Sequence, residues 1–257
     1  MTGRLVVIGT GPGSAEWRSP ETSALVETAT DLVGYGPYLD LLGEAAAGKR
    51  RHASDNREEL GRARQALALA AEGHSVALVS SGDPGIFGMA AAVFEVLDQE
   101  PGWRDLDITI APGISAMLAA ASRAGAPLGH DFCVVSLSDN LKPWTVVEQR
   151  IEAAGRADFV LVIYNPASSV RGWQLDRARD LLLAHRAPAT PVVLARNLGR
   201  EGESVRVVRL DARHAADADT RTLVIVGSSR TTLIPREDGS AWVYTPRHYK
   251  VEDAPSP

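Results

Sequence analysis

One cysteine, Cys133, stands in the whole chain of 257 residues, which excludes an intrachain disulfide. It lies in the apolar run Phe132-Cys133-Val134-Val135 and is expected to be a buried strand residue rather than a nucleophile. Long apolar runs are missing too. None approaches the roughly 18 residues of a membrane span, so no membrane partner is expected. No apolar signal region of useful length precedes the first strand-like run, Leu5 to Ile8, and a cytoplasmic location is the expectation. Positive charge is not in excess. A net charge of -5 argues against general nucleic-acid binding, which needs a cationic surface to meet phosphate, but leaves room for a local basic pocket. The six histidines (His52, His74, His130, His185, His214 and His248) show no metal-ligand spacing, so no metal is expected and each reads as structural or exposed. There is no G-x-S-x-G elbow, no P-loop, no tandem repeat and no low-complexity segment.

What is present is a composition fit for a sizeable core: 45% hydrophobic and 23% charged residues, enough for one large domain or two smaller ones. Apolar runs of strand length alternate with longer helical patterns. Leu5–Ile8, His74–Ser80 and Leu106–Ile110 read as strands. Helices are expected at Pro20–Asp31, with Ser19 as N-cap, and at Asp55–Ala71, with Asp55 and Glu58 as a capping box and Gly73 as terminator. Two more are expected at Ile86–Gln99 and Ile114–Arg123. This order predicts a parallel sheet with right-handed crossovers. The second half repeats the style, with strands at Asp131–Leu137, Asp158–Tyr164, Pro191–Ala195, Ser204–Val208 and Thr222–Val226. Its helices are expected at Thr145–Ala154 and Arg171–Arg186. Gly125 to Asp131 reads as the crossing between halves, and the polar tail from Glu252 is expected to fray.

Several strand-to-helix junctions could carry chemistry, because ligands of parallel α/β sheets sit outside the carboxyl ends of strands. Gly9-Thr10-Gly11-Pro12-Gly13 permits close backbone approach, but Ser14 replaces the third glycine of a dinucleotide fingerprint and Pro12 removes a cradle N–H. Taken alone it serves a tight turn as well as a ligand. Ser81-Gly82-Asp83-Pro84-Gly85-Ile86-Phe87-Gly88 carries more glycine and proline than a cap needs, and Asp83 is expected near a helix N-terminus. In Ala111-Pro112-Gly113-Ile114-Ser115-Ala116, Ser115 either caps a helix or faces a ligand. Ser136 to Trp144 is a long polar interruption, and Tyr164-Asn165-Pro166 and Arg196-Asn197 follow two further strands.

Together and in this order, the first glycine-proline loop, Ser81-Gly82-Asp83-Pro84 and Pro112-Gly113-Ile114-Ser115 resemble the tetrapyrrole methylase family, over Leu5 to about Val226. Gly34-Tyr35-Gly36-Pro37-Tyr38, Ser54-Asp55-Asn56-Arg57-Glu58-Glu59, Ser136-Leu137-Ser138-Asp139, Pro143-Trp144, Tyr164-Asn165-Pro166 and Arg196-Asn197 are similar to its C17-methylating branch in corrin synthesis. The resemblance implies two α/β domains, here divided at 1–112 and 113–257, with a cofactor cleft between them, and a homodimer. It implies S-adenosyl-L-methionine as methyl donor and S-adenosyl-L-homocysteine as product. The implied substrate is precorrin-3B, methylated at C17 with contraction to precorrin-4 in cobalamin synthesis. A cobalt-bearing precursor and other ring carbons are the alternatives. A non-catalytic nucleotide- or anion-binding module is a third reading, which Pro12 and the missing Lys-Ser/Thr pair oppose.

By the family pattern, Ser81, Gly82, Asp83, Ile86, Ser115 and Ala116 contact the cofactor, and Pro12 lines the cleft. Tyr164, Asn165, Arg196 and Asn197 are the candidates from the second domain. Ring contraction calls for proton transfer, with Asp139 and Lys142 as candidates and Asp83 behind them. The carboxylate-rich substrate requires local cations, for which Lys49, Arg50, Arg51, Arg57, Lys142, Arg171 and Arg196 are available.

Overall fold

A computed structural model describes residues 3–55, 58–168, 172–212, 216 and 218–248. The chain forms two units, Met1–Ala116 and Met117–Pro257. Both are α/β, as expected.

The first unit is built on β1 (Arg4–Gly9), α1 (Pro20–Thr28), β2 (Asp31–Tyr35), α2 (Gly36–Asp40), β3 (Arg50–Ser54), α3 (Glu59–Ala71), β4 (Ser75–Ser80), α4 (Met89–Gln99) and β5 (Asp107–Ala111). The five strands are all parallel, in the order β3-β2-β4-β1-β5. Side chains alternate across the sheet. Leu5, Val7, Val33, Val76 and Leu78 pack on α3 and α4, while Val6, Ile8, Leu32, Ala77 and Val79 pack on Val26, Leu39 and Leu42. Burial on both faces explains why β1 and β4 are continuous apolar runs.

Local signals set several boundaries. Ser19 caps α1 by accepting from the Thr22 N–H at 3.0 Å, with Pro20 at the first helical position. Gly73, at φ 97°, ends α3. Other expectations fail. α1 stops at Thr28, and Asp31 opens β2 instead. The capping box is not used: α3 begins at Glu59, and Glu58 occupies the cap position without a side-chain bond. α4 starts at Met89 rather than Ile86, because residues 84–88 turn, with Phe87 at φ 53°.

After α5 (Ala116–Ala124), the second unit contains β6 (Gly125–Ala126), β7 (Phe132–Ser136), α6 (Trp144–Arg156), β8 (Val160–Tyr164), α7 (Gln174–Leu183), β9 (Pro191–Arg196), β10 (Ser204–Arg209), β11 (Thr222–Val226), β12 (Thr232–Pro235) and β13 (Ala241–Tyr244). Its main sheet runs β10-β9-β11-β8-β7 and is mixed, not parallel throughout. Only residues 197–203 separate β9 from β10. A parallel return needs a crossover of about a dozen residues or more, so this connection closes an antiparallel pair. Val135, Leu161, Ile163, Val192, Leu194, Val224 and Val226 form the core under α6 and α7. Cys133 lies in β7, half-buried, and burial pushes its thiol pKa up against the pull of Arg186. β12, β13 and β6 make a small third sheet. No helix among the described residues is long and apolar enough to cross a membrane.

Candidate active site

Parallel register brings three loops of the first unit to one edge. Gly9 lies level with Ser80 and Ile8 with Ala111, so the loops after β1, β4 and β5 leave neighbouring strand ends. They cross backbone to backbone. The Gly11 N–H donates to the Gly82 carbonyl at 3.2 Å, and the Gly82 N–H donates back to Gly11 at 2.8 Å. Gly11 has φ 77° and Gly82 φ 64°, a region that favours glycine. A Cβ on Gly113 would fall 2.1 Å from the Gly82 carbonyl oxygen, and one on Gly9 would fall 2.5 Å from the same atom. No side chain fits at Gly9 or Gly113.

Asp83 braces the arrangement. Its Oδ1 accepts from the Gly85 N–H at 2.8 Å and its Oδ2 from the Gly113 N–H at 3.1 Å. It does not cap α4, whose cap position is Gly88. Gly82 packs toward Ser115 and Ala116, which a Cβ on it would meet at 3.7 and 3.8 Å. Ser115 is 2% exposed, and its Oγ has no hydrogen-bond partner. A buried hydroxyl left unpaired is costly, so this atom is available to a ligand. Pro12 is buried beside Gly11, Ser81 Oγ donates to the Gly11 carbonyl at 3.5 Å, and Ile86 is half-buried. All seven cofactor candidates of the first unit therefore belong to this group of three loops.

In the second unit, β7, β8 and β9 end on one edge. Ser136 Oγ accepts from the Ser138 N–H at 3.2 Å and from Asn165 Nδ2 at 2.9 Å. Tyr164 OH accepts from the Met117 N–H at 3.1 Å, near the start of α5. Lys142 Nζ donates to the Ser138 carbonyl at 3.1 Å, and Asp139 Oδ2 accepts from Gln174 Nε2 at 3.4 Å. Arg196 pairs with Asp219 at 3.0 Å. Burial pushes the Asp219 carboxyl up, but Thr222, the Arg221 N–H and Arg196 outweigh it and hold it below its ordinary pKa. Asn197, at φ 53°, keeps its Oδ1 buried and unpaired.

The expected substrate cations divide differently. Lys49, Arg50 and Arg51 stand at the opposite, amino edge of the first sheet, where β3 begins, and serve the fold. Lys49 donates to the Glu27 and Ala29 carbonyls, Arg50 pairs with Asp31, and Arg51 pairs with Asp40. Arg57 and Arg171, like Asn56, His214 and the tail from Glu252, lie outside the described residues. A further cation, Arg62, is buried on α3 and was not singled out in the sequence. Its signal was its place on the stripe Arg62-Ala66-Ala70 of α3, a cation where the helix turns inward.

The family of Tetrapyrrole (Corrin/Porphyrin) Methylases matches residues 4–213. The chain is 50% identical to the precorrin-3B C(17)-methyltransferase of a Sinorhizobium species, over 97% of this chain and 98% of that protein. It is 42% identical to the probable cobalt-factor III C(17)-methyltransferase of Salmonella typhimurium, over 96% and 100%. The crystal structure of the methyltransferase CobJ superposes with a TM-score of 0.90 at 45% identity, over 95% of this chain and all of that one.

Proposed function

Since the chain belongs to the tetrapyrrole (corrin/porphyrin) methylase family, we propose that it uses S-adenosylmethionine to methylate precorrin-3B at C17, with contraction of the ring to precorrin-4 in cobalamin synthesis. The observation that carries the reading is the backbone crossing of Gly9, Gly11, Gly82 and Gly113, with the unpaired Ser115 hydroxyl beside it. No lysine or arginine occurs in Gly9–Gly13, Ser81–Gly88 or Pro112–Ala116. Such loops meet a ligand with backbone N–H and carbonyl groups rather than with a side-chain cation.

When bound, the cofactor supplies an electrophilic methyl carbon on a sulfonium. Ser81, Gly82, Ile86, Ser115, Ala116 and Pro12 hold and orient it, with Asp83 fixing the loops. Tyr164, Asn165, Arg196 and Asn197 are the second unit's candidates. Orientation is the main contribution, since in-line methyl transfer needs alignment rather than a strong base. Contraction needs proton movement, which falls to Asp139 and Lys142, with Asp83 behind them. Asp139→Asn is expected to leave methylation intact and slow contraction about 100-fold. Unchanged rates of both steps would remove Asp139 from the mechanism.

Calorimetry and turnover test the reading. S-adenosylhomocysteine is expected to bind, and ATP and NAD are not. Incubation with S-adenosylmethionine and precorrin-3B is expected to give a singly methylated, ring-contracted product by mass and absorbance. Activity with the cobalt-bearing precursor alone would move the substrate to that of the Salmonella relative. The reading includes a cytoplasmic homodimer. The exposed Leu233, Ile234 and Trp242 of the third sheet supply apolar surface for it, and sedimentation tests it.

A further inference from the structure

The crossed loops use the ends of β4, β1 and β5. The same edge has two further strand ends, Tyr35 of β2 and Ser54 of β3. Arg62, in the first turns of α3, is held there. It is 5% exposed. Its Nε donates to Ser54 Oγ at 2.8 Å and its Nη2 to the Asp55 carbonyl at 2.7 Å, while Nη1 reaches only Met89 Sδ at 3.4 Å. Every acceptor is neutral, and no carboxylate among the described residues pairs with it. A thioether is a weak acceptor.

A buried guanidinium without a counter-charge is expensive, several kcal/mol per ion. The fold shows how it treats such a group when the role is structural. Arg186, 6% exposed, has Asp158 at 2.8 Å and donates to the Gly155, Ala154 and Phe159 carbonyls as well. Arg62 lacks that compensation, and its place near the start of α3 adds the positive end of a helix. Its one weakly satisfied nitrogen faces Met89, which opens α4. The Met89 N–H bonds Ser80 Oγ at 3.4 Å, and Ser80 is the residue from which the Ser81–Asp83 loop departs. The uncompensated charge therefore lies beside the cofactor loops.

We propose that Arg62 anchors a peripheral carboxylate of the tetrapyrrole, a role that rests on the methyltransferase reading. The unbranched Met89 side chain swings aside, and a carboxylate oxygen takes its place on Nη1. The substrate then completes an ion pair that the protein leaves half-built. Arg62 is a binding and specificity residue here, not a catalytic one.

The test is steady-state methylation by the full chain and its variants. Arg62→Met is expected to raise the tetrapyrrole KM about 10- to 100-fold, the worth of one charged hydrogen bond. Affinity for S-adenosylhomocysteine should stay unchanged. The preference of the native enzyme for the free-acid macrocycle over its methyl ester should shrink in the variant. Should Arg62→Met not fold, Met89→Glu gives the guanidinium an internal acid. It is expected to raise the same KM at least tenfold without loss of thermal stability. A native enzyme that methylates the macrocycle while either folded variant keeps the native KM and ester discrimination overturns the inference alone. A native enzyme that methylates no tetrapyrrole overturns the underlying reading.

Discussion

Gly113→Ala is expected to lower affinity for S-adenosylhomocysteine about 100-fold or more. The new Cβ would lie 2.1 Å from the Gly82 carbonyl oxygen and 2.8 Å from the Gly9 backbone. Both neighbours are main chain, so no rotamer change relieves the clash. Loops must separate, and the Gly113 N–H to Asp83 Oδ2 bond at 3.1 Å goes with them. Overpacking of this kind costs about 1–3 kcal/mol of stability, a tolerable loss for the fold but not for a ligand held by backbone geometry. Gly61→Ala is the matched control. Gly61 lies within α3 with nothing within 4 Å of a Cβ, so alanine should be neutral or stabilise by about 0.5–1 kcal/mol. Calorimetry and thermal melts on both variants decide the point. Native affinity in a folded Gly113→Ala protein would show that the crossing of the three loops does not position the cofactor.

What could be read from the sequence follows from how local each signal is. β1, β4 and β11 are uninterrupted apolar runs, and their pattern announces burial on both faces. The Ser19-Pro20 start of α1 and the Gly73 stop of α3 are likewise written in two or three residues. β3 (Arg50–Ser54) has no apolar run at all. Its strand state comes from pairing with β2, and its Arg50 and His52 side chains reach Asp31, a contact that spacing does not reveal. Lys49, Arg50 and Arg51, candidates for substrate cations by sequence, are held by carbonyls and carboxylates of the fold in contacts that spacing does not reveal either. Antiparallel pairing in the second unit was hidden because runs such as Thr222–Val226 look alike in either direction. Only the short 197–203 connection carried the hint. At the candidate site, glycine and proline marked the loops, but the bracing by Asp83 and the orphaned Ser115 hydroxyl depend on how three loops cross.

Asp31→Asn should produce the largest loss of stability. Asp31 is fully buried, and its carboxylate accepts from Arg50 Nε and Nη2 at 2.8 and 2.7 Å and from Thr30 Oγ1 at 2.7 Å. His52 Nε2 and His74 Nδ1 stand 2.8 and 3.0 Å away. Burial alone would push this carboxyl up, but the donors from Arg50, His52, Thr30 and His74 outweigh it and hold it far below the ordinary carboxylate range. An amide in its place removes the charge and turns one acceptor into a donor facing donors. The Arg50 side chain is 60% exposed and water can take over its charge, so the loss is that of the charged hydrogen bonds to a buried carboxylate, about 3 kcal/mol, a fall in Tm on the order of 10 °C. The pH dependence has a fixed sign. A carboxyl with a depressed folded-state pKa stabilises fully above its unfolded value of about 4, and that contribution drains away as pH falls below it. The gap in Tm between native protein and Asp31→Asn should therefore be widest near neutrality and narrow below about pH 4. A gap independent of pH would mean that the charge of Asp31 is not what joins β2, β3 and β4. Because the cluster occupies the amino edge of the sheet, away from the crossed loops, the folded fraction of the variant should bind S-adenosylhomocysteine with native affinity.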